Sequence, residues 1–178
     1  NSDGSQVTKS TSALVDNTNR KIIQYISYKD GLDTTNGHGT HVAGTVAGYD
    51  ATGSLEKFKG HASGAKMTFY DMSDGPYIYY QTPIDTFVYA PTYAAGGHLH
   101  TNSWGNTLNS YSSVCEDTDA YLYVTDDFLV LFASGNDGDN EGFYSVGSPA
   151  TSKNIVTVGA SRSTSSFGEL AYFTGMGP

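Results

Sequence analysis

The sequence predicts an α/β fold in three layers, α/β/α, with helices on both faces of a mostly parallel sheet. Three observations carry that prediction. Short runs of branched and aromatic residues alternate with segments that suit helices, most of the strand-like runs hold little charge, and the Gly-, Asn- and Ser-rich stretches follow the ends of those runs. Such alternation implies βαβ units, whose crossovers lay helices against a parallel sheet. In sheets of this kind functional groups gather beyond the carboxyl ends of the strands.

Residues 22–28 (IIQYISY) read as the first strand and 66–72 (KMTFYDM) as the second. Between them, 38–48 is small and apolar, a helix able to press close to its neighbours. Residues 82–95 make a weaker helix, interrupted at Pro91. Residues 99–104 (LHTNSW) form the third strand, 128–134 (FLVLFAS) the fourth and 154–160 (NIVTVGA) the fifth. Low charge and branched side chains predict strands covered on both faces. The helix at 113–127 places Val114, Tyr121, Val124 and then Phe128 at helical spacing, with acids on the other side. Cys115 lies in that pattern and reads as a small buried hydrophobe. No repeat or linker divides the chain, so 1–178 reads as one domain, with the Tyr-rich stretch 75–80 as a surface turn.

Nine Lys and Arg face eighteen Asp and Glu, giving a formal charge of −9 and a pI near 4.7. The cations read as scattered, which excludes a basic footprint for nucleic acid. The longest apolar run, 128–133, has about six residues, whereas a membrane-spanning helix needs about 20. A single cysteine allows no internal disulfide. The opening Asn1-Ser-Asp-Gly-Ser has neither an initiator Met nor a signal pattern, so the natural start is expected upstream.

The stretch Asn36 to Gly48, NGHGTHVAGTVAG, sets two histidines three apart at a glycine-rich helix start. Gly37 and Gly39 free the backbone around His38. That histidine stands at a helix N-terminus, where the positive dipole end favours the neutral, basic imidazole. His41, one turn deeper, reads as a core histidine. A zinc pair would need i, i+4 spacing with a Glu between, which is absent, so no metal is predicted here. A dinucleotide fingerprint would need glycine where Val42 stands. Two histidines packed in an ordinary glycine-rich helix remain the alternative for this stretch alone.

HGTHVAGTVAG, together with SWG at 103–105, ASGNDG at 133–138 and SPATSKNIVTVGA at 148–160, resembles the subtilisin-like serine proteases, the subtilases of peptidase S8 type. The resemblance runs from about residue 22 to 178, and 58–67 and 99–105 are most similar to the larger, eukaryotic or multidomain members. It implies a subtilisin-like α/β/α catalytic domain and an endopeptidase working through a Ser/His/Asp triad on peptide or protein substrates. His38 would be the general base, an imidazole whose pKa lets it accept and return a proton near neutrality. Asn136 would donate its side-chain amide to the oxyanion; the loss of such a donor costs roughly 2.7–4 kcal/mol in subtilisin itself, a value carried over from that enzyme. Asn102, Ser103, Trp104 and Gly105 would pair with an extended substrate and form one wall of the P1 pocket, with Ala133, Ser134 and Gly135 opposite. From sequence, Trp104 suits core and pocket rim equally. An open, moderately apolar slot implies a preference for large P1 residues.

The departures from the family pattern are specific. Every Thr-Ser pair, at 11–12, 151–152 and 164–165, is preceded by Ser or Ala rather than Gly, so no nucleophile is recognisable. None of Asp3, Asp16, Asp30 and Asp33 follows an apolar strand in an Asp-Ser/Thr-Gly context. The expectation is therefore a partial catalytic domain, truncated at both ends, inactive alone and partnered by the remainder of its own domain. The alternative is a non-catalytic subtilase-fold domain that binds extended peptides. No cofactor is required for the chemistry. Structural calcium is a family possibility, although the spacing of Asp137 to Glu141 matches no EF-hand and reads as a solvated loop. By resemblance alone, the compartment is secreted or secretory.

Overall fold

The computed structural model describes residues 14–28, 37–54, 56–74, 77–163 and 168–177. The chain forms two compact units, Asn1–Tyr80 and Gln81–Pro178.

In the first unit, β1 (Ile22–Ser27) leads to α1 (His38–Ala47), a 3₁₀ turn (Glu56–Phe58) and β2 (Met67–Asp71), then to a two-residue ribbon of β3 (Ser73–Asp74) and β4 (Tyr77–Ile78). β1 and β2 pair in parallel from Ile22↔Met67 to Ser27↔Asp71, slipping once near Ile22, so the β1–α1–β2 unit is the expected crossover. Tyr25 stacks on Phe69 across this pair at 5.5 Å and 12°. Helix α1 ends without a basic residue in its last turn, and the returning chain satisfies its carbonyls instead. The amides of Gly60, His61 and Ala62 donate to the carbonyls of Gly48, Thr45 and Val46 at 2.9, 3.1 and 2.7 Å. This crossing requires glycine: a Cβ on Gly60 would lie 2.5 Å from the Gly48 nitrogen. Carbonyls that a helix end leaves unpaired are thereby used to fix the helix.

In the second unit, a π-helical turn (Asp85–Tyr89) runs into α2 (Ala90–Ala94), followed by β5 (Leu99–Asn102), α3 (Ser113–Val124), β6 (Leu129–Ala133), α4 (Gly138–Glu141) and β7 (Val156–Val158). Pro91 does not interrupt the second helical segment as expected. It sits in the first turn of α2, where a missing N–H is harmless, and the wider π turn before it gives the ring room. β5, β6 and β7 form a parallel sheet in that order, with Leu99↔Leu129 and Leu131↔Val156 in register. Parallel pairing is as predicted. Among the described residues, however, the three parallel pairings fall in two separate sheets, β1–β2 and β5–β6–β7.

The strands are not covered on both faces. Val130 and Phe132 are fully buried, while Leu99, Val156 and Val158 on the same sheet are 72%, 44% and 46% exposed. Only one face meets the core of Tyr89, Phe128 and Leu122, in which Tyr89 packs on Phe128 and Tyr121 at 6.0 and 5.7 Å. Helix α3 also turns differently from the reading: Val124 is exposed, and the buried stripe is Val114, Cys115, Thr118, Asp119 and Leu122. Positions 114, 118 and 122 are four apart and share one face of the helix, the one that is buried.

Asp119 belongs to that stripe because its carboxylate is fully engaged. It accepts from the amides of Lys153 and Asn154 at 2.8–3.0 Å and from the Tyr111 hydroxyl at 2.8 Å. The bond to Asp119 pushes the Tyr111 phenol up to about 12. Replacing Asp119 by alanine is expected to cost about 2–3 kcal/mol, since hydrogen bonds to a charged acceptor are worth roughly 1.5–3 kcal/mol each and the freed amides regain water. Urea unfolding of wild type and variant checks this; a difference under about 0.5 kcal/mol would show that the latch carries nothing.

Cys115 is buried as expected, but hydroxyls ring it rather than hydrocarbon. Its sulfur lies 3.3–3.5 Å from the hydroxyls of Thr151, Ser148 and Ser112. Burial alone would push the thiol up; the hydrogen bonds from Ser148, Thr151, Ser112 and Ser152 bring it down to about 7.

Charge is also less scattered than it reads. Residues 1–80 hold seven cations against eight acids, and 81–178 hold two against ten. The excess negative charge therefore belongs almost wholly to the second unit. Among the described residues no helix is long and apolar enough to cross a membrane.

Candidate active site

In the first unit, His38 opens α1 and is exposed. Gly37, the residue before it, adopts the left-handed conformation, φ 64° and ψ 26°, which a side chain would resist. The turn closes through the His41 amide on the Gly37 carbonyl at 2.8 Å. Gly39 lets this first turn press on β2, for a Cβ there would stand 3.2 Å from the Phe69 ring. No acid occupies the first turn, so no carboxylate of the helix competes at its positive end.

His41 is not a core histidine. It is exposed, and so are His38, Gly44 and Thr45, while Gly39, Val42, Ala43 and Val46 are half-buried and Ala47 is buried. One turn along a helix leads to the same face and not to greater depth. His41 lines an open hollow of about 470 Å³ with Tyr49, Phe58, Lys59 and His61.

In the second unit, the two predicted walls follow the ends of β5 and β6. Asn102 closes β5 and is 4% exposed; its side chain is a strut, not a surface group. Its Oδ1 accepts from the Trp104 indole at 3.0 Å and meets His100 Nε2 at 3.1 Å, while its Nδ2 donates to the Leu131 carbonyl at 3.2 Å. Trp104 is half-buried and stands edge-on to the buried Phe132 at 5.2 Å. It therefore reaches from the core to the surface. Ser103 and Gly105 are exposed beside it.

Across from these, Ala133 is exposed and Ser134 is buried, with its hydroxyl 3.3 Å from that of Thr174. Gly135 has φ 104°, and its carbonyl accepts from the Gly175 amide at 3.0 Å. This backbone reversal turns the next residue outward. Asn136 is exposed, and among the described residues no hydrogen bond occupies its amide.

Residues 145–149 touch both walls, a role that sequence reasoning missed. A Cβ on Gly105 would be 3.1 Å from the Ser148 carbonyl, and one on Gly135 would be 3.6 Å from the Ser145 carbonyl. Further bonds join the Asn106 amide to the Ser148 carbonyl at 2.9 Å and the Gly147 amide to the Ser134 carbonyl at 3.4 Å. The signal was the small-residue run Gly147-Ser148 before Pro149, the chemistry of a segment that lets other backbones come close. A cavity of about 570 Å³ is lined by Ser134, Val146, Ala150, Thr157 and Gly159. Of the predicted wall residues only Ser134 lines it, so it does not coincide with the slot between the walls.

The remaining candidates lie partly within the described residues. Ser152 is buried and its hydroxyl donates to the Pro149 carbonyl at 2.7 Å. Asp16 accepts from the amide and hydroxyl of Thr18 in an exposed turn, and the Thr18 hydroxyl is the chief reason its pKa is lowered. Asp3, Asp30, Asp33, Asn36 and the Thr-Ser pairs at 11–12 and 164–165 lie outside the described residues. The acidic stretch from Asp137 to Glu141 is not an open loop: it is the N-cap and one turn of α4. Among the described residues no group of three or more His, Cys, Asp or Glu could hold a metal ion.

Two curated proteins of Dictyostelium discoideum, the serine protease/ABC transporter B family proteins tagB and tagD, are 41% and 39% identical to the chain over 155 residues, 82% of its length. A third, tagA, is 34% identical over 160 residues. The chain spans only 8–9% of the length of these relatives. Among solved structures, the protease domain of PatA superposes with a TM-score of 0.67 at 20% identity, covering 89% of this chain and 56% of that one. Sphericase does so with 0.64 at 23%, covering 93% and 55%. These two likenesses show the fold. The sequence profile of the Subtilase family matches residues 6–178, and the chain belongs to that family of serine proteases.

Proposed function

We propose that the chain is the part of a subtilisin-like endopeptidase that carries the general base, His38, and one oxyanion donor, Asn136. The observation that carries this reading is the setting of His38: an exposed imidazole at the first position of a helix, after a left-handed glycine, in a chain of this family. In the reaction His38 would take the proton of the attacking hydroxyl and return it to the leaving amine. The Asn136 amide, exposed and uncommitted among the described residues, would donate to the oxyanion. The main chain of Asn102 to Gly105 would pair with the substrate as an added strand, facing Ala133 to Gly135, with residues 145–149 as the floor. Glycine at 105 and 135 leaves that slot open to a large P1 side chain.

A non-catalytic peptide-binding domain is the second reading. It gives no chemical reason for an exposed imidazole and an exposed amide at these two positions. The names of the Dictyostelium relatives join a serine protease to an ABC transporter. We extend to this chain a parent polypeptide in which the peptidase works beside a membrane transporter on the secretory route.

Fluorophosphonate labelling and hydrolysis of a chromogenic peptide, run on the 178-residue chain and on the protein as its gene encodes it, test the proposal. The chain alone is expected neither to label nor to turn over, and the encoded protein to do both. Labelling of Ser152 or another serine of the chain would place the nucleophile inside it. An encoded protein that binds peptides but never labels would establish the second reading instead.

A further inference from the structure

Among the described residues of the first unit, two lysines pin the chain to itself. The Lys21 ammonium donates to the carbonyls of Ser63 and Ala65, each at 2.7 Å, and that of Lys66 donates to the Asn17 carbonyl. The other described cations, Arg20, Lys57 and Lys59, gather at two rings. The Arg20 guanidinium and the Lys59 ammonium lie 4.8 and 5.3 Å from the centre of the Tyr49 ring, and the Lys57 ammonium lies 5.0 Å from that of Phe58. Tyr49 is 44% exposed and Phe58 67%. A ring face attracts a cation through its quadrupole, so the cluster keeps its arrangement while leaving apolar surface in water. Exposed rings rimmed by charge mark an interaction surface.

Both rings border the open hollow of about 470 Å³. One wall is α1 and its end, where His41, Thr45 and Gly48 fall at i, i+4 and i+7 and so share a stripe. The facing wall is the returning chain at Lys59 and His61. The amides of residues 60–62 bond this chain to the carbonyls of α1, and the Arg20 guanidinium donates to the Tyr49 carbonyl at 3.4 Å. The walls are therefore fixed to each other by backbone and need no partner to form. Gly44 leaves the hollow open between them, since nothing lies within 4 Å of a Cβ there. Asp50 is the acid that lines it. Its carboxylate serves its own loop, accepting from the amide and hydroxyl of Thr52 at 2.9 and 2.7 Å and from the Ser54 hydroxyl at 3.2 Å.

The occupant is constrained by shape and by charge. A preformed hollow of several hundred Å³ takes a protruding group, whereas a flat bilayer would meet its rim alone. Two rings at the lip suit an aromatic side chain between them, and three cations around those rings suit carboxylates on either side of it. Arg, Tyr and Phe are also the residues enriched at the centres of protein interfaces. We propose that this hollow is a docking site for an acidic segment of a protein partner, one aromatic side chain entering between Tyr49 and Phe58 while flanking carboxylates pair with Arg20, Lys57 and Lys59. The site does not depend on the catalytic reading of His38 and Asn136. It lies on the helix that His38 opens, however, and His41 stands one turn from His38, so the docked segment would run beside the proposed base.

Titration of acetyl-Glu-Phe-Glu-amide into the nitrogen-labelled 178-residue chain tests the site. The amide resonances of Gly44, Gly48 and Gly60 are expected to move together and saturate. Acetyl-Gln-Phe-Gln-amide, which has the ring without the charges, should bind about five- to twentyfold more weakly, the worth of two exposed ion pairs. Acetyl-Glu-Ala-Glu-amide, which has the charges without the ring, should bind about tenfold more weakly. The difference between the acidic and the glutamine peptide should shrink in 1 M salt, where exposed charges are screened.

Lys57→Glu combined with Lys59→Glu should reverse the preference, so that the variant takes acetyl-Lys-Phe-Lys-amide and no longer the acidic peptide. Both positions are exposed, and its circular dichroism should match wild type; where the variant does not fold, the peptide series on the wild-type chain decides alone. Equal affinity for the Glu and Gln peptides overturns the proposal, as does undiminished binding of the acidic peptide by the folded variant. Phosphatidylserine vesicles that sediment the chain while the acidic peptide moves no resonance of the hollow would make this a bilayer-facing surface and overturn it too.

Discussion

Replacing Gly147 by alanine is expected to prevent the second unit from folding. A Cβ built at this position stands 1.7 Å from the Asn106 carbonyl oxygen and 2.9 Å from its carbon. Both are backbone atoms, so no rotamer change relieves the clash. The segment that would have to move is tied in place by the Asn106 amide on the Ser148 carbonyl, 2.9 Å, and by the Ser148 amide on the Leu108 carbonyl, also 2.9 Å. Overpacking costs about 1–3 kcal/mol where side chains yield, and more where backbone must. Each broken hydrogen bond adds about 1 kcal/mol. A total near 5 kcal/mol is comparable to the whole stability of an ordinary domain. Circular dichroism and thermal melts should show loss of a cooperative transition. Gly44→Ala is the matching control: nothing lies within 4 Å of a Cβ there, and alanine in a helix interior should add about 0.5–1 kcal/mol. A Gly147→Ala chain that melts like wild type would falsify the close approach of residues 106 and 147.

The second large effect concerns catalysis. In the encoded protein, His38→Ala is expected to lower kcat by about 10²–10⁴-fold, the usual worth of a positioned general acid–base, with KM little changed. The fold should be untouched because His38 is exposed and α1 is held from its other end by the amides of residues 60–62. Asn136→Leu should lower kcat by about 10²–10³-fold, a magnitude taken from the oxyanion asparagine of subtilisin. It too should leave KM and the melting temperature near wild type, since the amide is exposed. If His38→Ala changed KM and kept kcat, His38 would be a binding group and not the base.

Much of the secondary structure was legible in the sequence. The five runs of branched and aromatic residues each became a strand, trimmed by a residue to a few at the ends, because uncharged β-branched segments between turn residues have few other ways to pair their backbone. The helix at His38 was legible for a related reason, its glycines and small residues marking where it starts and where its neighbours crowd it. Features that depend on which face is turned inward were not. Val124 sits at helical spacing yet is exposed, and Asp119 is charged yet buried, because a folded chain can bring two backbone amides and a phenol to one carboxylate.

The candidate site divides the same way. The positions of His38 and Asn136 at element ends were visible from the glycines beside them, since left-handed and sharply turning backbone has a compositional signature. The depth of His41 was misjudged, because a helical repeat tells which residues share a stripe but not whether that stripe meets a partner. Residues 145–149 were read only as part of a family motif, and their contact with both walls is a matter of distances between segments far apart in the chain.

By itself, the sequence determined the family of this protein, its parallel α/β character and the residue types available for a general base and an oxyanion donor. These follow from local patterns: periodicity, turn chemistry and motif spacing act over a few residues. Only the tertiary structure decided that the chain packs as two units, that one face of the β5–β6–β7 sheet stays open, that Asn102 is a buried strut joining His100 to Trp104, and that hydroxyls surround Cys115. Burial and hydrogen bonding at those places depend on pairs of residues as much as 36 positions apart, such as Cys115 and Thr151. Contacts of that span depend on how whole elements pack and leave no signature in local sequence.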